Sequence, residues 1–472
     1  MPRLLAFSLL ASAVFFIGCG DPLASAAVDI APDTGSVFDS DIEQAIQKST
    51  DISADSLGDI APESGPDVVA EVVADATSDT DVTEPASLPA AATLFDANGL
   101  HVIALQLDPA DWKAYLVGAA QADGSKTYVW YHAKATVDGQ VWADIGMRGF
   151  GNGSQLDNPK KPNIRLKFDE YELKGKGPEG VHSIRLKSSG QDRTFVREPL
   201  VYDMARSVGG FGPHYSWAEV TVNNESYGFY QLLEQAEKHQ FKNLFGNSAG
   251  NKYQSSEACV GFDCPPDGCE ALKYMYQGDP GDGAELADLA QAVTDSTPTT
   301  LLAVLNKRVD LDALLATYAV DALVSNLDGL AAAGQNFTLY VNDQTKLIEL
   351  IMSGEDLTFG NFKNAWYDIF APWGMPNNWC PKRQDHLYLR ILASPDVQPK
   401  LLAKMRALQC GAFLPQKINA RLLELKTKLL PHLVADPKGM YGQAEIEGAY
   451  TAISNYVAKR AKLLDQKLGP CK

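Results

Sequence analysis

The stretch "MRGFGNGSQLDNPKKPNIRLKFDEY" (residues 147–171) joins a glycine-rich turn to a short strand in which apolar and charged side chains alternate. Three glycines lie between basic residues, a composition that cradles phosphate in some nucleotide-binding proteins. The stretch lacks the Gly-Lys-Ser/Thr ending of a P-loop, and a lone glycine-rich segment more often marks a hairpin. By itself, therefore, it predicts a turn and a strand.

The patterning on either side predicts an α+β fold. Period-two alternation in "HVIALQL", "TYVWYHAKATV", "VWADIGMRGF", "HSIRLKS" and "WAEVTVN" is typical of strands. "RTFVREPLVYDMARSV" predicts a helix after Asp192 that ends at Gly209-Gly210, and "VTVNNESYGFYQLLE" predicts a hairpin that turns at Asn223-Asn224. We expect a strand-rich N-terminal lobe in the body of the chain.

The second half of the chain is predicted to be mostly helical. "DLDALLATYAVDALVSNLD" places apolar residues along one helix face, and "NFTLYVNDQTKLIELIM" predicts a small inserted hairpin. Long amphipathic stretches then continue to "SNYVAKRAKLLDQKL". Residues 94–472 are therefore expected to form one domain with a strand-rich lobe, a helix-rich C-terminal lobe and a cleft between them.

The N-terminal segment 1–19 is typical of a secretory signal. Arg3 precedes a nearly uninterrupted apolar run from Leu4 to Ile17, which is too short for a membrane span and ends in small residues. The ending "FIGC" resembles a bacterial lipobox, which implies lipidation at Cys19; the alternative is cleavage without lipidation. Several acyl chains would hold the protein on a membrane, and the residue after Cys19 favours the outer membrane or cell surface.

Residues 20–93 predict an acidic, disordered stalk. Positions 20–90 contain twelve Asp and four Glu against one Lys, which gives a net charge of −15 of the −18 carried by the whole chain. With a single aromatic residue, Phe38, this segment has too little apolar surface to offset the entropy cost of ordering. We expect it to lift the domain away from a membrane, and we expect no nucleic-acid partner.

Six further cysteines, Cys259, Cys264, Cys269, Cys380, Cys410 and Cys471, remain after Cys19. An even number in an exported protein predicts three disulfides, with fifteen possible pairings that spacing does not resolve. The close trio "CVGFDCPPDGC" also suggests a metal site, but no nearby histidine or cysteine pair completes a zinc pattern.

Six segments in the observed order resemble the spore-coat protein H (CotH) kinase-like family. They are the opening stretch, "SIRLKSSGQDRTFVREPLVYDMA", "VNNESYGFYQLLEQAEK", "NLDGLAAAGQNFTLYVN", "GEDLTFG" and "YVAKRAKLLDQKL", and they extend over nearly all of residues 97–470. The resemblance implies an atypical protein-kinase-like fold with two lobes, and secreted or coat-associated protein kinase activity that uses ATP and Mg²⁺ or Mn²⁺.

The resemblance also implies residues for the nucleotide. Lys161 occupies the place of the family's motif lysine and is the phosphate-binding candidate, with Lys167 as the fallback. Arg148 and the turn 149–154 would lie beside the phosphates. Glu234 matches a family glutamate that would pair with the lysine. The structural alternatives are a solvated strand edge for the two lysines and an exposed helix start for Glu234.

The later segments imply a catalytic carboxylate and a metal site. Asp328 in "SNLDG" and Asn336 in "QNFTLY" resemble the base and metal ligand of a kinase catalytic loop. In "IMSGEDLTFG", Asp356 matches a metal-binding aspartate, but Gly354 stands where the family carries a first aspartate. Glu355 is not expected to compensate, because neighbouring strand residues point to opposite faces. A turn or N-cap role is the alternative for Asp328.

Two functional hypotheses follow. The first is a surface-anchored kinase that transfers the γ-phosphoryl group of ATP to Ser or Thr hydroxyls of extracytoplasmic proteins. The second is a kinase-fold lipoprotein of weak or no activity that serves as a structural or adhesive surface module, as the altered segment at Gly354 and the long stalk would suit. A carbohydrate-active protein has less support, because no pair of carboxylates at a common cleft is identifiable.

Overall fold

The computed structural model of the 472-residue chain describes residues 94–119, 128–151, 160–172, 176–255, 261–262, 264, 268, 276–279, 281–361, 366–371 and 386–471. The predicted signal segment with Cys19 and the acidic stalk lie outside these ranges, as do Cys259, Cys269 and Cys380. Expectations about them therefore stay predictions. Among the described helices, none has the length and apolar character that crossing a membrane requires.

In the first half of the described chain, seven strands close into a barrel. They are β1 (Leu100–Gln106), β2 (Tyr131–Val137), β3 (Gln140–Gly149), β4 (Ile164–Lys167), β5 (Ser183–Lys187), β6 (Tyr215–Val222) and β7 (Glu225–Glu234). The order around the barrel is β1-β2-β3-β4-β5-β7-β6, and the parallel pairing of β1 with β6 closes it. The predicted strands are confirmed, but alternation along one strand does not reveal closure of a barrel.

Strands β3, β4 and β5 have an apolar inner face and a basic outer face. The buried inner side chains include Met147, Leu166, Ile184 and Leu186, which belong to the core of the barrel. Because side chains alternate along a strand, the intervening arginines and lysines point away from that core. This face is the one that contributes a lysine to the site described below.

Helices α1 (Pro109–Ala119) and α2 (Arg197–Ser207) interrupt the barrel strands, with α2 between β5 and β6. α2 begins a few residues later than the sequence predicts, because Asp192 forms a turn in which its carboxylate accepts the Thr194 N–H at 2.9 Å. The predicted turn at Asn223-Asn224 is confirmed, since both residues have positive φ (50° and 67°), as a type I′ hairpin turn requires.

The second half of the described chain combines helices with a four-stranded sheet of order β11-β10-β8-β9. Its elements are α3 (Lys238–Phe245), β8 (Lys252–Ser255), β9 (Tyr276–Asp279), α4 (Ala284–Asp295), α5 (Leu301–Leu305), α6 (Leu311–Val324), β10 (Phe337–Val341), β11 (Ile348–Met352), α7 (His386–Ala393), α8 (Gln398–Gln409), α9 (Pro415–Ala435) and α10 (Gln443–Leu468). The predicted hairpin is β10–β11, and β8 and β9 extend it into a sheet. The α+β class is thus confirmed.

Helix α6 passes through the core of this half. Every residue from 313 to 324 is buried, so the helix is surrounded by protein rather than packed on one face, as its sequence had suggested. Asp310 caps its N-terminus by accepting the Ala313 N–H at 3.0 Å. The end of α6 leads directly into the segment that carries Asp328.

One of the expected disulfides joins Cys410 to Cys471, and Cys264 is also disulfide-bonded. The Cys410–Cys471 bond ties the end of α8 to the C-terminal segment that follows α10.

Candidate functional site

The candidate site is centred on Lys187, the last residue of β5. Its side-chain nitrogen Nζ lies 2.9 Å from Glu198 Oε2 and 3.0 Å from Asp356 Oδ2. All three side chains are less than one-tenth exposed. One ammonium group therefore joins the barrel, helix α2 and the loop that follows β11.

Helix α2 presents Glu198 in its first turn, where the helix dipole favours a carboxylate. The helix start is fixed by Arg197, whose guanidinium lies 2.8 Å from the Asp192 carboxylate. Arg197 Nε also donates to the Thr358 carbonyl at 3.1 Å. The position of Glu198 is thus coupled to residues 353–358, which we call the Asp356 loop.

A second set of hydrogen bonds fastens the Asp356 loop to α2. Glu198 Oε1 accepts from the Tyr202 hydroxyl at 2.9 Å and from the Glu355 backbone N–H at 3.2 Å. The Tyr202 oxygen in turn accepts the Gly354 N–H at 3.1 Å. Both carboxylate oxygens of Glu198 are therefore engaged, one by Lys187 and the other by this link.

The backbone conformation at position 354 favours glycine. Its φ is +75°, and a Cβ added there would lie 2.9 Å from Asn336 Cγ and Oδ1. The Asn336 amide nitrogen donates to the Gly354 carbonyl at 3.2 Å. Asn336 thus occupies the space into which a side chain at position 354 would project.

Asp328 lies within electrostatic reach of Asp356 and is half-buried. Burial, followed by the negative charge of Asp356, raises its pKa to about 6, while hydrogen bonds from Gln335 and Asn336 and the charge of Lys187 oppose the rise. Gln335 Nε2 donates to Asp328 Oδ1 at 2.7 Å. A carboxylate with this pKa is mostly ionised at pH 7 and can accept a proton.

The cluster has more negative than positive charge. Burial raises the pKa of Asp356, which Lys187 opposes and Glu198 reinforces. Burial alone would lower the pKa of Lys187, but the carboxylates of Asp356 and Glu198 outweigh it and raise that pKa. Lys187 is therefore a firmly charged cation among three carboxylates, counting Asp328.

The excess negative charge and the oxygens of Asp356 and Asn336 are chemically suited to a hard divalent cation, which takes one or two carboxylates and keeps waters. Within the described ranges, no group of three or more His, Cys, Asp and Glu side chains stands in an arrangement that could hold a metal ion.

Glu355 lies in a turn after β11 and not on a strand, so the predicted alternation of strand faces does not apply to it, and its side chain contacts a different set of buried groups. Its carboxylate accepts from the Asn326 side-chain amide, which also donates to Asp321 at 2.8 Å. Burial, followed by the charges of Asp321 and Glu198, raises the pKa of Glu355 well above its usual value. The Glu355 side chain thus holds the segment before Asp328 against the Asp356 loop.

Lys161, the predicted phosphate-binding residue, contacts other groups. It is 2% exposed, and its Nζ donates to the Phe229 carbonyl and lies 2.5 Å from Asp436 Oδ2. Its ammonium also lies 4.8 Å from the centroid of the Tyr230 ring. Burial lowers the pKa of Lys161, and Asp436 opposes the shift. Lys161 therefore braces β7 against the end of α9.

Two other nucleotide candidates, Glu234 and Lys167, also contact groups other than Lys187. Glu234 accepts from His214 Nδ1 at 2.9 Å and from Gln240 Nε2 at 2.9 Å. Burial would raise the pKa of Glu234, but hydrogen bonds from His214 and Gln240 outweigh it and lower the pKa. Lys167 forms an ion pair with Glu170 at 2.7 Å.

Of the predicted site residues, the structure brings Asp328, Asn336 and Asp356 together. Sequence reasoning missed Lys187 and Glu198, although both stand in "RLKSSGQDRTFVREPL". A lysine at the end of a strand, followed by a helix with a glutamate in its first turn, is the order of the lysine–glutamate pair in protein kinases. This order in the sequence was the signal that could have identified Lys187 and Glu198.

A family model described as "CotH kinase protein" matches residues 146–464. The chain belongs to the CotH kinase family. The matched segment contains the residues grouped around Lys187, which we call the Lys187 cluster: Lys187, Glu198, Asp328, Asn336 and Asp356. Membership supports a kinase-like protein and, in general terms, the use of ATP and a divalent metal. No curated protein matches the sequence as a relative.

Two solved structures show weak similarity to this CotH family member. One is a chain of the Shewanella oneidensis MR-1 toxin–antitoxin complex of HipA, HipB and operator DNA, at 10% identity and a TM-score of 0.32; the match covers 64% of this chain and 63% of that one. The other is the Helicobacter pylori proinflammatory kinase CtkA, at 11% identity and a TM-score of 0.24, with 67% and 94% covered. At these scores neither contributes to the assignment.

Restoring the family's first aspartate should destabilise the protein. Gly354→Asp would place a side chain at φ +75° against Asn336, which we expect to cost about 1–3 kcal/mol of unfolding free energy. Thermal denaturation is the measurement. Gly448→Asp, in open space on the exposed side of α10, is the matched control. Equal stability of the two variants would refute the steric account.

Asp328→Asn should stabilise the metal-free protein at pH 8 but not near pH 4. Because the folded-state pKa of Asp328 is raised to about 6, ionisation of this group costs stability as pH rises through 6. The upper bound is about 3 kcal/mol, at 1.36 kcal/mol for each pH unit between 3.8 and 6. Melting temperatures in EDTA, with the exposed Asp396→Asn as control, measure the effect; an increase at neither pH would contradict it.

Proposed function

We propose that this chain is a protein kinase that uses ATP with Mg²⁺ or Mn²⁺ and transfers the γ-phosphoryl group to Ser or Thr hydroxyls of extracytoplasmic proteins. The observation that carries the proposal is the position of Lys187 Nζ, 2.9 Å from Glu198 and 3.0 Å from Asp356. A strand lysine, a helix glutamate and a loop aspartate are the parts that a kinase needs around the phosphates.

Lys187 takes the phosphate-binding role in this proposal, in place of Lys161, and Glu198 takes the orienting role in place of Glu234. Lys187 is positively charged and its position is fixed from two sides, which are the properties that a phosphate-binding lysine needs. Lys161 supplies the brace to Asp436 instead. Lys167, the former fallback, remains paired with Glu170.

Asp356 and Asn336 are proposed to hold the divalent cation, and Asp328 to accept the proton of the attacking hydroxyl. Asp356 contributes a buried carboxylate, and Asn336 contributes an amide oxygen beside Gly354, two residues before Asp356 in the same loop. When bound, magnesium neutralises phosphate charge. Asp328 is mostly ionised at pH 7 and lies close enough to Asp356 for their charges to interact.

The barrel and the helical half are proposed to act as the two lobes of the kinase. The barrel with α2 carries Lys187 and Glu198, while the second half carries Asp328, Asn336 and Asp356. The β3–β4 connection, with Arg148 and Gly149 at its start, is one strand away from β5 and would cover the phosphates. Its residues 152–159 lie outside the described ranges.

Export, lipidation at Cys19 and the acidic stalk complete the proposal, because they place the kinase domain at the cell envelope, beside extracytoplasmic protein substrates. The second candidate function, a structural or adhesive surface module, is favoured by one observation. Gly354 replaces the family's first aspartate, and Asn336 fills the space beside it. One acidic metal ligand, rather than two, then remains in the Asp356 loop.

Mg-dependent nucleotide binding tests the proposal. Mg-ATP at 100 times its dissociation constant should stabilise the full-length protein by about 2.7 kcal/mol. We expect the stabilisation to disappear in Asp356→Asn and Lys187→Met and to persist in Lys417→Met, on the exposed side of α9. Transfer of labelled γ-phosphate to a protein acceptor should be lost in Asp328→Asn although this variant still binds nucleotide.

A further variant distinguishes the role of Lys161 from that of Lys187. Lys161→Met with Asp436→Asn removes the buried ion pair as a unit, so no unpaired charge is left behind. This double variant should retain the Mg-ATP-induced rise in melting temperature, measured against its own ligand-free value. If Mg-ATP no longer raised the melting temperature of the double variant but still raised that of Lys187→Met, the phosphate-binding role would return to Lys161. The absence of any Mg-dependent rise in the unmodified protein would favour the structural module.

A further inference from the structure

Three arginines stand side by side on the outer face of the barrel. Arg148 of β3 pairs in register with Arg165 of β4, which pairs with Arg185 of β5. Directly opposed side chains on neighbouring strands lie about 5 Å apart, and like charges in such positions destabilise a sheet. We call these three residues the arginine row.

The arginine row is short of negative charge. Arg165 is paired with Glu237, whereas the hydrogen bond of Arg185 within the described ranges is a long one, 3.4 Å to the Glu234 carbonyl. Arg148 lies with its guanidinium 4.7 Å from the centroid of the Trp130 ring. Among the described residues, the Nε atoms of Arg148 and Arg185 are buried without a hydrogen-bond partner.

This arrangement costs stability in the absence of a ligand. A partly buried guanidinium that forms no direct ion pair loses hydration that its neighbours replace only in part. Burial, followed by the charge of Arg165, lowers the pKa of Arg148, although the negative charges of Glu237 and Glu170 oppose the shift. Aromatic rings pack near the guanidinium groups: the Phe150 ring centroid lies 5.7 Å from the Arg185 guanidinium carbon. Such rings do not accept hydrogen bonds from the N–H groups that point outward in the guanidinium plane.

The arginine row is continuous with the Lys187 site. Arg185 precedes Lys187 by two residues on β5, so both side chains point to the same face, about 7 Å apart along the strand. The charge of Arg185 acts on the Tyr202 hydroxyl, which contacts Glu198 and Gly354. From Lys187, the row continues across β5, β4 and β3.

We propose that the arginine row is a phosphate-binding subsite that takes a chain of phosphoryl groups extending from Lys187. Guanidinium groups bind phosphate oxygens through paired N–H donors, and several cations in a line suit a ligand with several negative charges. The chain of phosphates is either that of the nucleotide or that of a separate polyphosphate. The inference rests on the proposed function for the role of Lys187, but its own ligand contacts are the arginines.

Titration calorimetry of the full-length protein with inorganic triphosphate, in EDTA and low salt, tests the inference. Triphosphate should bind although it has no nucleobase and no metal ion is present. Arg148→Gln and Arg185→Gln should each weaken the affinity for triphosphate about tenfold or more. Arg308→Gln, which removes an arginine paired with Asp288 elsewhere, is the matched control and should leave the affinity unchanged. Adenosine should not compete with triphosphate.

Two outcomes would support the subsite and identify its ligand. If Arg148→Gln and Arg185→Gln weaken both triphosphate and Mg-ATP, the row holds the nucleotide's own phosphates. If they weaken triphosphate alone, the row holds a second phosphate-bearing ligand. Because no carboxylate in the described part of the chain forms a direct ion pair with Arg148 or Arg185, neither variant is expected to lower the ligand-free melting temperature. Loss of binding can therefore be distinguished from loss of folding.

Failure to detect triphosphate binding, or equal affinities for the unmodified protein and the two arginine variants, would overturn the inference. These results would leave the proposed kinase activity intact if Mg-ATP still stabilised the protein through Asp356 and Lys187. Conversely, triphosphate binding that depends on the arginines, without any Mg-ATP-dependent phosphoryl transfer, would retain the subsite and reject the kinase.

Discussion

The rest of the site depends on one ammonium group held between two buried carboxylates. Lys187 contacts Glu198 and Asp356 at 2.9 and 3.0 Å, and these contacts tie the barrel to α2 and to the Asp356 loop. Removing one member of such a buried group leaves the others uncompensated, at a typical cost of several kcal/mol. The fold around the site therefore depends on all three charged groups being present together.

The hydrogen bonds around this ion pair make the site a single unit. Tyr202 links Glu198 to Gly354, and Arg197 links the start of α2 to Thr358. These contacts hold the Asp356 loop in a shape that has no room for a side chain at position 354. The glycine at position 354 thus belongs to a locally consistent structure, in which Asn336 occupies the space beside it.

Much of the fold follows from the sequence, because alternation, turn residues and apolar spacing are local signals. The Asn223-Asn224 turn and the β10–β11 hairpin are examples. Asp328, Asn336 and Asp356 were predicted from separate motifs, and the structure brings the three residues together. In the sequence, Lys161 and Lys187 are both basic residues in or next to a predicted strand. Their roles differ because of contacts with residues far away in the chain. Asp436, 275 positions after Lys161 in the chain, decides that Lys161 is a structural brace.

The most direct test of the central claim is a crystal structure of the protein with Mn²⁺ and a non-hydrolysable ATP analogue, with manganese located by its anomalous scattering. We predict a manganese peak at ligand distance from Asp356 and a phosphate oxygen at hydrogen-bond distance from Lys187 Nζ. Phosphates bound at Lys161, or manganese bound away from Asp356 with the Lys187 cluster closed and untouched, would contradict the account.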